Sequence, residues 1–235
     1  GTMDLMVKDN VILLTAASRG LGYATACVLA QEGAHVAICA RTEATLVEAA
    51  ERLKDETGAE VLPVAADVTK PREVERLVAM TVEHFGRIDA LFVNAGGPPP
   101  GKFLDLRPQD WEAATQLTIQ SAVRLTYAVL PVMRQRESGS LLFNTSVTVR
   151  YPLDNLILSN SLRLAIVGLM KSLAIELGPD GIRANAIGPG WTRTERVDQL
   201  LQDRAARNER TVEEEAAQVA SDIPLGRIAE PEEYG

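Results

Sequence analysis

Apolar and polar positions along this chain switch between two periods. Val11–Thr15 is a short run of aliphatic and β-branched residues, followed by the glycine-containing stretch 16–22. A helical pattern then continues to about residue 31, and Gly33 stands where a helix stops. His35–Ala40 is again strand-like. Thr42 is placed to cap a second helix, in which Leu46, Ala49, Ala50 and Leu53 recur at helical spacing. Residues 60–66 predict a third strand, and Pro71 opens a third helix at a position where its missing N–H costs nothing. Residues 88–94 are nearly all apolar, as in a strand buried on both faces. One long helix is predicted from 110 to about 136, a fifth strand at 140–146, a helix at 159–177 and a sixth strand at Ile182–Ile187. Strand and helix alternate at least five times, which predicts an α/β fold with a doubly wound parallel sheet. Residues 191–222 differ: they are polar and helical in propensity and carry Glu213-Glu214-Glu215. They read as a solvated helical insertion or as a lid over a site at the strand ends.

Composition narrows the class. The chain has 235 residues, 46% hydrophobic and 24% charged, a globular balance that excludes a disordered chain. No linker-like shift or repeat divides it, so a single domain over 3–235 is expected. The net charge of −8, without a basic block, argues against a nucleic-acid partner. The longest apolar runs are about half a dozen residues, far short of the ~20 that span a bilayer. Gly1-Thr2-Met3 reads as a leftover of cloning ahead of a native Met3, and the start is not charged then apolar, so a cytoplasmic rather than secreted protein is expected. Cys27 and Cys39 are too few for a disulfide framework or a four-thiolate metal site, and Cys39 reads as a small core residue.

The chemistry concentrates at the predicted strand ends. Thr15-Ala16-Ala17-Ser18-Arg19-Gly20-Leu21-Gly22 follows the first strand and opens a helix. Glycines there let backbone N–H groups approach a pyrophosphate, although the same residues could form a tight turn and nothing more. The second strand ends without an acid to hold a ribose 2′-OH, and Arg41 follows it. Arg19 adds a second positive charge at the same corner. The pair favours a 2′-phosphate, hence NADP(H) over NAD(H), unless both are ordinary surface arginines. His35 and His84 fall at element boundaries and read as structural.

The octet resembles the Thr-Gly-x-x-x-Gly-x-Gly turn of the short-chain dehydrogenase/reductase family. Further matches follow in order: Asp67-Val68 after the third strand, Asn94-Ala95-Gly96 after the fourth, and Gly188-Pro189-Gly190 with Thr194 after the sixth. Ile223-Pro224-Leu225-Gly226-Arg227 and Glu230-Pro231-Glu232-Glu233 match the segment before the family's last helix and strand. The similarity spans about 7–235 and is nearest to 3-oxoacyl-carrier-protein reductases. It implies a Rossmann-type fold, a nicotinamide cofactor and a homodimer or homotetramer. It also implies a seventh strand about 25 residues beyond the last one given. Thr15, Ser18, Arg19, Gly20, Leu21, Gly22, Arg41, Asp67, Val68, Asn94, Ala95, Gly96, Arg163, Pro189, Gly190 and Thr194 are the cofactor-binding residues it implies.

The match departs from the family pattern at four positions. The turn's first glycine is Ala16, which a Cβ tolerates if φ is negative. Of the family tetrad Asn, Ser, Tyr, Lys, only the serine is present, as Ser146; the others are Thr118, Ser159 and Arg163. These four are the candidate catalytic residues. Ser159 is a poor substitute for a phenol, being less acidic and shorter by a ring. Arg163 lies at i+4 from it, keeps its charge, and could bind the nicotinamide ribose without relaying a proton; alternatively it covers apolar surface. Tyr151, in the loop before that helix, could stand in as the acid or lie on the surface, and Tyr234 is set aside. Pro98-Pro99-Pro100-Gly101 is stiff enough to line the mouth of a site. The sequence thus predicts an NADP-dependent reductase or dehydrogenase of a ketone, secondary alcohol or 3-oxoacyl thioester. A dinucleotide-binding protein without turnover, and a lyase or isomerase on the same fold, remain alternatives.

Overall fold

A computed structural model describes residues 5–235; the expectation for Gly1-Thr2-Met3 lies outside the described residues. Its strands are β1 Val11–Thr15, β2 His35–Ala40, β3 Val61–Ala65, β4 Ala90–Val93, β5 Gly139–Asn144 and β6 Ile182–Ile187. They form one sheet in the order β3-β2-β1-β4-β5-β6, every pair parallel. Helices α1 Gly20–Gln31 and α2 Glu43–Thr57 bury Ala26, Ala30, Leu46 and Leu53 against Ile12, Leu14 and Ile38 on one face. Helices α3 Pro71–Phe85, α5 Ser121–Gln135 and α6 Ile157–Leu177 bury Leu77, Leu125 and Ile166 against Leu13, Leu91 and Phe143 on the other. The strands alternate their side chains between two apolar layers, which is why they read as continuous hydrophobic runs. Each fully buried leucine or phenylalanine contributes about 1.5–3 kcal/mol of transfer free energy.

The strand order reverses between β1 and β4, and crevices at such switch points open outside the carboxyl ends of the strands. Two differences from the sequence pattern bear on what lines this one. The long helix is α4 Pro108–Thr115 and α5 joined by a π-turn, Gln116–Gln120. Its periodicity hides that turn, because one extra residue barely disturbs the apolar stripe. The polar region 191–222 folds as α7 Glu195–Asn208 and α8 Val212–Ser221, but Glu215 is fully buried rather than solvated. Asn208 Nδ2 donates to its carboxylate at 2.6 Å and Arg204 Nε at 3.2 Å, with Arg210 at 3.6 Å, so the buried charge has partners. The Asn208 hydrogen bond, with the Arg204 hydrogen bond and the charges of Arg204 and Arg210, outweighs burial and holds the Glu215 carboxyl below its usual range. Thr42 sits at the N-cap of α2 without a side-chain capping bond.

Candidate active site

Thr15 fastens the two sides of the switch point together. Its Oγ1 donates to the Asn94 carbonyl at 2.6 Å and accepts from the Asn94 N–H at 3.0 Å. The turn beyond it is set by backbone geometry. Ala16 has φ +49°, so the condition for a tolerated Cβ is not met. This corrects the expectation for Ala16: a left-handed alanine carries strain of about 1–2 kcal/mol. Gly22 admits no side chain, since a Cβ there would lie 2.3 Å from the Ala16 carbonyl oxygen. Gly20 has φ +57° and opens α1, whose N-cap Arg19 makes no side-chain capping bond. Ser18 and Leu21 are half-buried in the same turn.

Asn94 then passes the order of the turn across the sheet. Its Nδ2 donates to the Ala16 carbonyl at 3.2 Å, and its Oδ1 accepts from Asn144 Nδ2 at 2.8 Å. Asn144 Oδ1 in turn accepts from the Tyr234 hydroxyl at 3.0 Å. The tyrosine set aside from the sequence thus ends a polar chain reaching the glycine turn. Burial raises its pKa, and it is a hydrogen-bond donor at neutral pH. Neither Asn144 nor Tyr234 belongs to a motif read from the sequence.

Arg163 reaches the same strand ends from α6. It is 7% exposed, which excludes the reading of a side chain spread over the helix surface. Nη1 donates to the Asn144 carbonyl at 2.8 Å and Nη2 to the Ala95 carbonyl at 3.3 Å. Burial lowers its pKa to about 10, so it remains a cation at neutral pH. Thr118 lies on the π-turn, buried, with no partner for its Oγ1. Asn94, Thr118, Asn144 and Arg163 line one small cavity. Ser146 is half-buried, and its Oγ accepts from the Thr148 N–H at 3.2 Å. Ser159 is half-buried in the first turn of α6. The start of that helix is tied to the loop after β4 by a bridge between Gly101 and Leu156. Tyr151 is 53% exposed.

The remaining candidates line the rim. Arg41 is exposed after β2. Partial burial pushes Asp67 up, but hydrogen bonds from Thr69 and the charges of Lys70 and Arg41 outweigh it and hold the carboxyl below its usual range. Val68 is buried beside Asp67. The Pro189 carbonyl accepts from the Val147 N–H at 2.8 Å, and Thr194 caps α7 by accepting from the Val197 N–H at 3.4 Å. A Cβ at Gly96 or Gly190 would meet nothing within 4 Å, so open space remains at both turns. His35 and His84 both face Glu60 at the amino end of the sheet, away from this crevice.

Comparison with known proteins gives the same outline. The family described as short chain dehydrogenase matches residues 10–205. Dehydrogenase/reductase SDR family member 4 of Sus scrofa is 36% identical over 200 residues, covering 85% of this chain and 71% of that protein. Oxidoreductase UcpA of Salmonella typhimurium is 36% identical over 233 residues, covering 97% and 86%. L-sorbose reductase of Gluconobacter frateurii, complexed with NADPH and L-sorbose, superposes with a TM-score of 0.92 at 33% identity, covering 98% and 88%. An NAD+-bound xylitol dehydrogenase superposes with a TM-score of 0.91 at 26% identity, covering 97% and 90%. Structural neighbours thus include complexes with either nicotinamide dinucleotide.

Proposed function

The chain belongs to the short-chain dehydrogenase family, and from that premise we propose that it is an NADP-dependent oxidoreductase with a weakened proton-transfer step. The carrying observation for the cofactor is Arg41, exposed after β2 where an NAD-preferring site has an acid. The open turns at Gly96 and Gly190, and the uncapped start of α1, fit a dinucleotide pyrophosphate. Thr15, Ser18, Gly20, Leu21, Gly22, Asn94, Ala95, Pro189 and Thr194 would border it. Asp67 and Val68 would border the adenine, with Arg19 and Arg41 on the 2′-phosphate. Bound there, the nicotinamide would supply or accept a hydride.

Ser146 would donate a hydrogen bond to the substrate oxygen. Arg163 would supply a positive charge nearby, and it ties the ends of β4 and β5 together. Neither supplies a proton readily, since a guanidinium with a pKa of about 10 stays charged and an alkyl hydroxyl is a weak acid. The substrate would be a ketone, a secondary alcohol or a 3-oxoacyl thioester, and slow turnover is expected. Exposed Tyr127, Leu164 and Ile175 on α5 and α6 support a homo-oligomer, and the acidic charge supports a protein without nucleic-acid partners.

A dinucleotide-binding protein without turnover is the second reading. It is favoured by the engagement of Arg163 with two backbone carbonyls, which fits a structural clamp better than a proton relay. Titration with NADPH and NADH, followed by NADPH oxidation against a ketone panel, separates the two. Arg41→Asp should weaken NADPH roughly ten- to hundredfold and spare NADH, the scale of one charged hydrogen bond. Native affinities equal for both cofactors would sink the NADP reading.

A further inference from the structure

The first turn of α7 spans the crevice and touches both of its walls. On the β1 side, the Thr194 methyl lies 3.5 Å from where a Cβ on Gly20 would be, and the Glu195 carboxylate pairs with Arg19 Nη1. On the β4 side, Arg196 Nη2 donates to the Pro98 carbonyl at 2.6 Å, and its Nε lies 2.9 Å from where a Cβ on Gly97 would be. Three consecutive residues therefore engage two turns that diverge from the switch point. The Arg19 guanidinium, assigned above to the 2′-phosphate, already holds an anion, and that anion belongs to the chain itself.

We propose that Glu195 is a specificity-determining residue: an internal carboxylate that competes with the cofactor 2′-phosphate for Arg19. This rests on the reading that Arg19 takes the 2′-phosphate. A phosphate monoester carries about −1.5 to −2 charge and three acceptor oxygens against one charge on a carboxylate, so it displaces Glu195 when it arrives. The freed Glu195 turns out to solvent, and the first turn of α7 loses its hold on the β1 turn while Arg196 keeps its hold on Pro98. NAD(H) carries only a hydroxyl at that position and leaves the pair intact. The closed clasp is thus the resting state, and exchange of partners at Arg19 is triggered by NADP(H) alone.

The effect is small, because the two side chains are 73% and 64% exposed and exposed ion pairs are weak. Glu195→Gln should tighten NADPH about two- to fivefold and leave NADH unchanged, read by cofactor fluorescence titration. In an Arg19→Gln background, the same substitution should change neither cofactor, because there is nothing left to compete for. Equal tightening of both cofactors, or no tightening of NADPH, overturns the proposal, as does tightening that persists without Arg19. Arg19→Gln alone separates the parent reading. If it leaves NADPH affinity unchanged, Arg19 does not take the 2′-phosphate. If it weakens NADPH while Glu195→Gln in the native background does nothing, only the competition fails.

Discussion

The two halves of the crevice are built from different material. The half beneath β1 and β4 is made by backbone: a turn with Gly20 in left-handed geometry, Gly22 packed on the Ala16 carbonyl, and the Asn94 main chain fastened by Thr15. The half beneath β5 and α6 is made by side chains, and three of the four candidate positions differ from the pattern that the resemblance implies. A pyrophosphate needs N–H groups and room, which a fold supplies whatever the flanking side chains. Proton transfer needs one acid of suitable pKa at one place, and a single substitution removes it. Binding and chemistry can therefore separate in this fold, and the proposed weakening of proton transfer would fall on the second half.

The largest expected effect tests that separation directly. Ser159→Tyr together with Arg163→Lys restores a phenol and an ammonium four residues apart on α6, on one helix face. Positioned acid catalysis contributes about 10²–10⁴-fold, so the double variant should gain roughly 10²-fold or more in the rate of ketone reduction. Neither single change should do as much, because a tyrosine without the ammonium keeps a pKa near 10. The unpartnered Thr118 Oγ1 will blunt the gain, as a threonine is too short to reproduce the family's asparagine. Robust native turnover that survives Ser159→Ala would break the comparison by requiring another acid.

The next effect falls on stability. Arg163 joins α6 to the carbonyls of Asn144 and Ala95, and hydrogen bonds to a charged group are each worth about 1.5–3 kcal/mol. Part of that is offset by the cost of burying the cation, since burial brings its pKa down to about 10. Arg163→Ala should therefore cost about 2 kcal/mol and lower Tm by roughly 4–8 °C. It should also weaken NADPH and NADH alike, because in the proposed binding mode both ends of the clamp would lie under their common part. An unchanged Tm would show that the two carbonyl contacts carry no net stability.

The same division explains what was legible in the sequence. The six strands and the doubly wound order follow from apolar runs separated by helical periods, because burial on both faces forces that pattern. The glycine turn was legible because a missing side chain is itself the signal. Partnerships were not. Arg163 could equally have covered helix surface, and only the fold brings it to carbonyls 19 and 68 residues away in sequence. Glu215 sits in an acidic run that looks solvated, and its partners come together only when α7 and α8 pack. Tyr234 lies 90 residues from Asn144 and carries no local mark of that bond.

The smallest effect probes whether the two halves are coupled. Ala16 adopts φ +49° at the first position of the turn, and its carbonyl accepts from Asn94 Nδ2. Ala16→Gly removes about 1–2 kcal/mol of left-handed strain and costs about 0.5–1 kcal/mol through the freer unfolded chain. The variant should gain roughly 0.5–1 kcal/mol, a rise in Tm of about 1–4 °C. The chain from Asn94 through Asn144 to Tyr234 helps hold the strained turn, so Tyr234→Phe should be more costly with alanine at position 16 than with glycine. A double-mutant cycle read by thermal unfolding measures that difference, and contacting networks of this kind couple by about 0.5 kcal/mol or more. Additive effects would mean that Tyr234 supports β5 alone. Coupling would mean that Tyr234 helps set the backbone of the glycine turn.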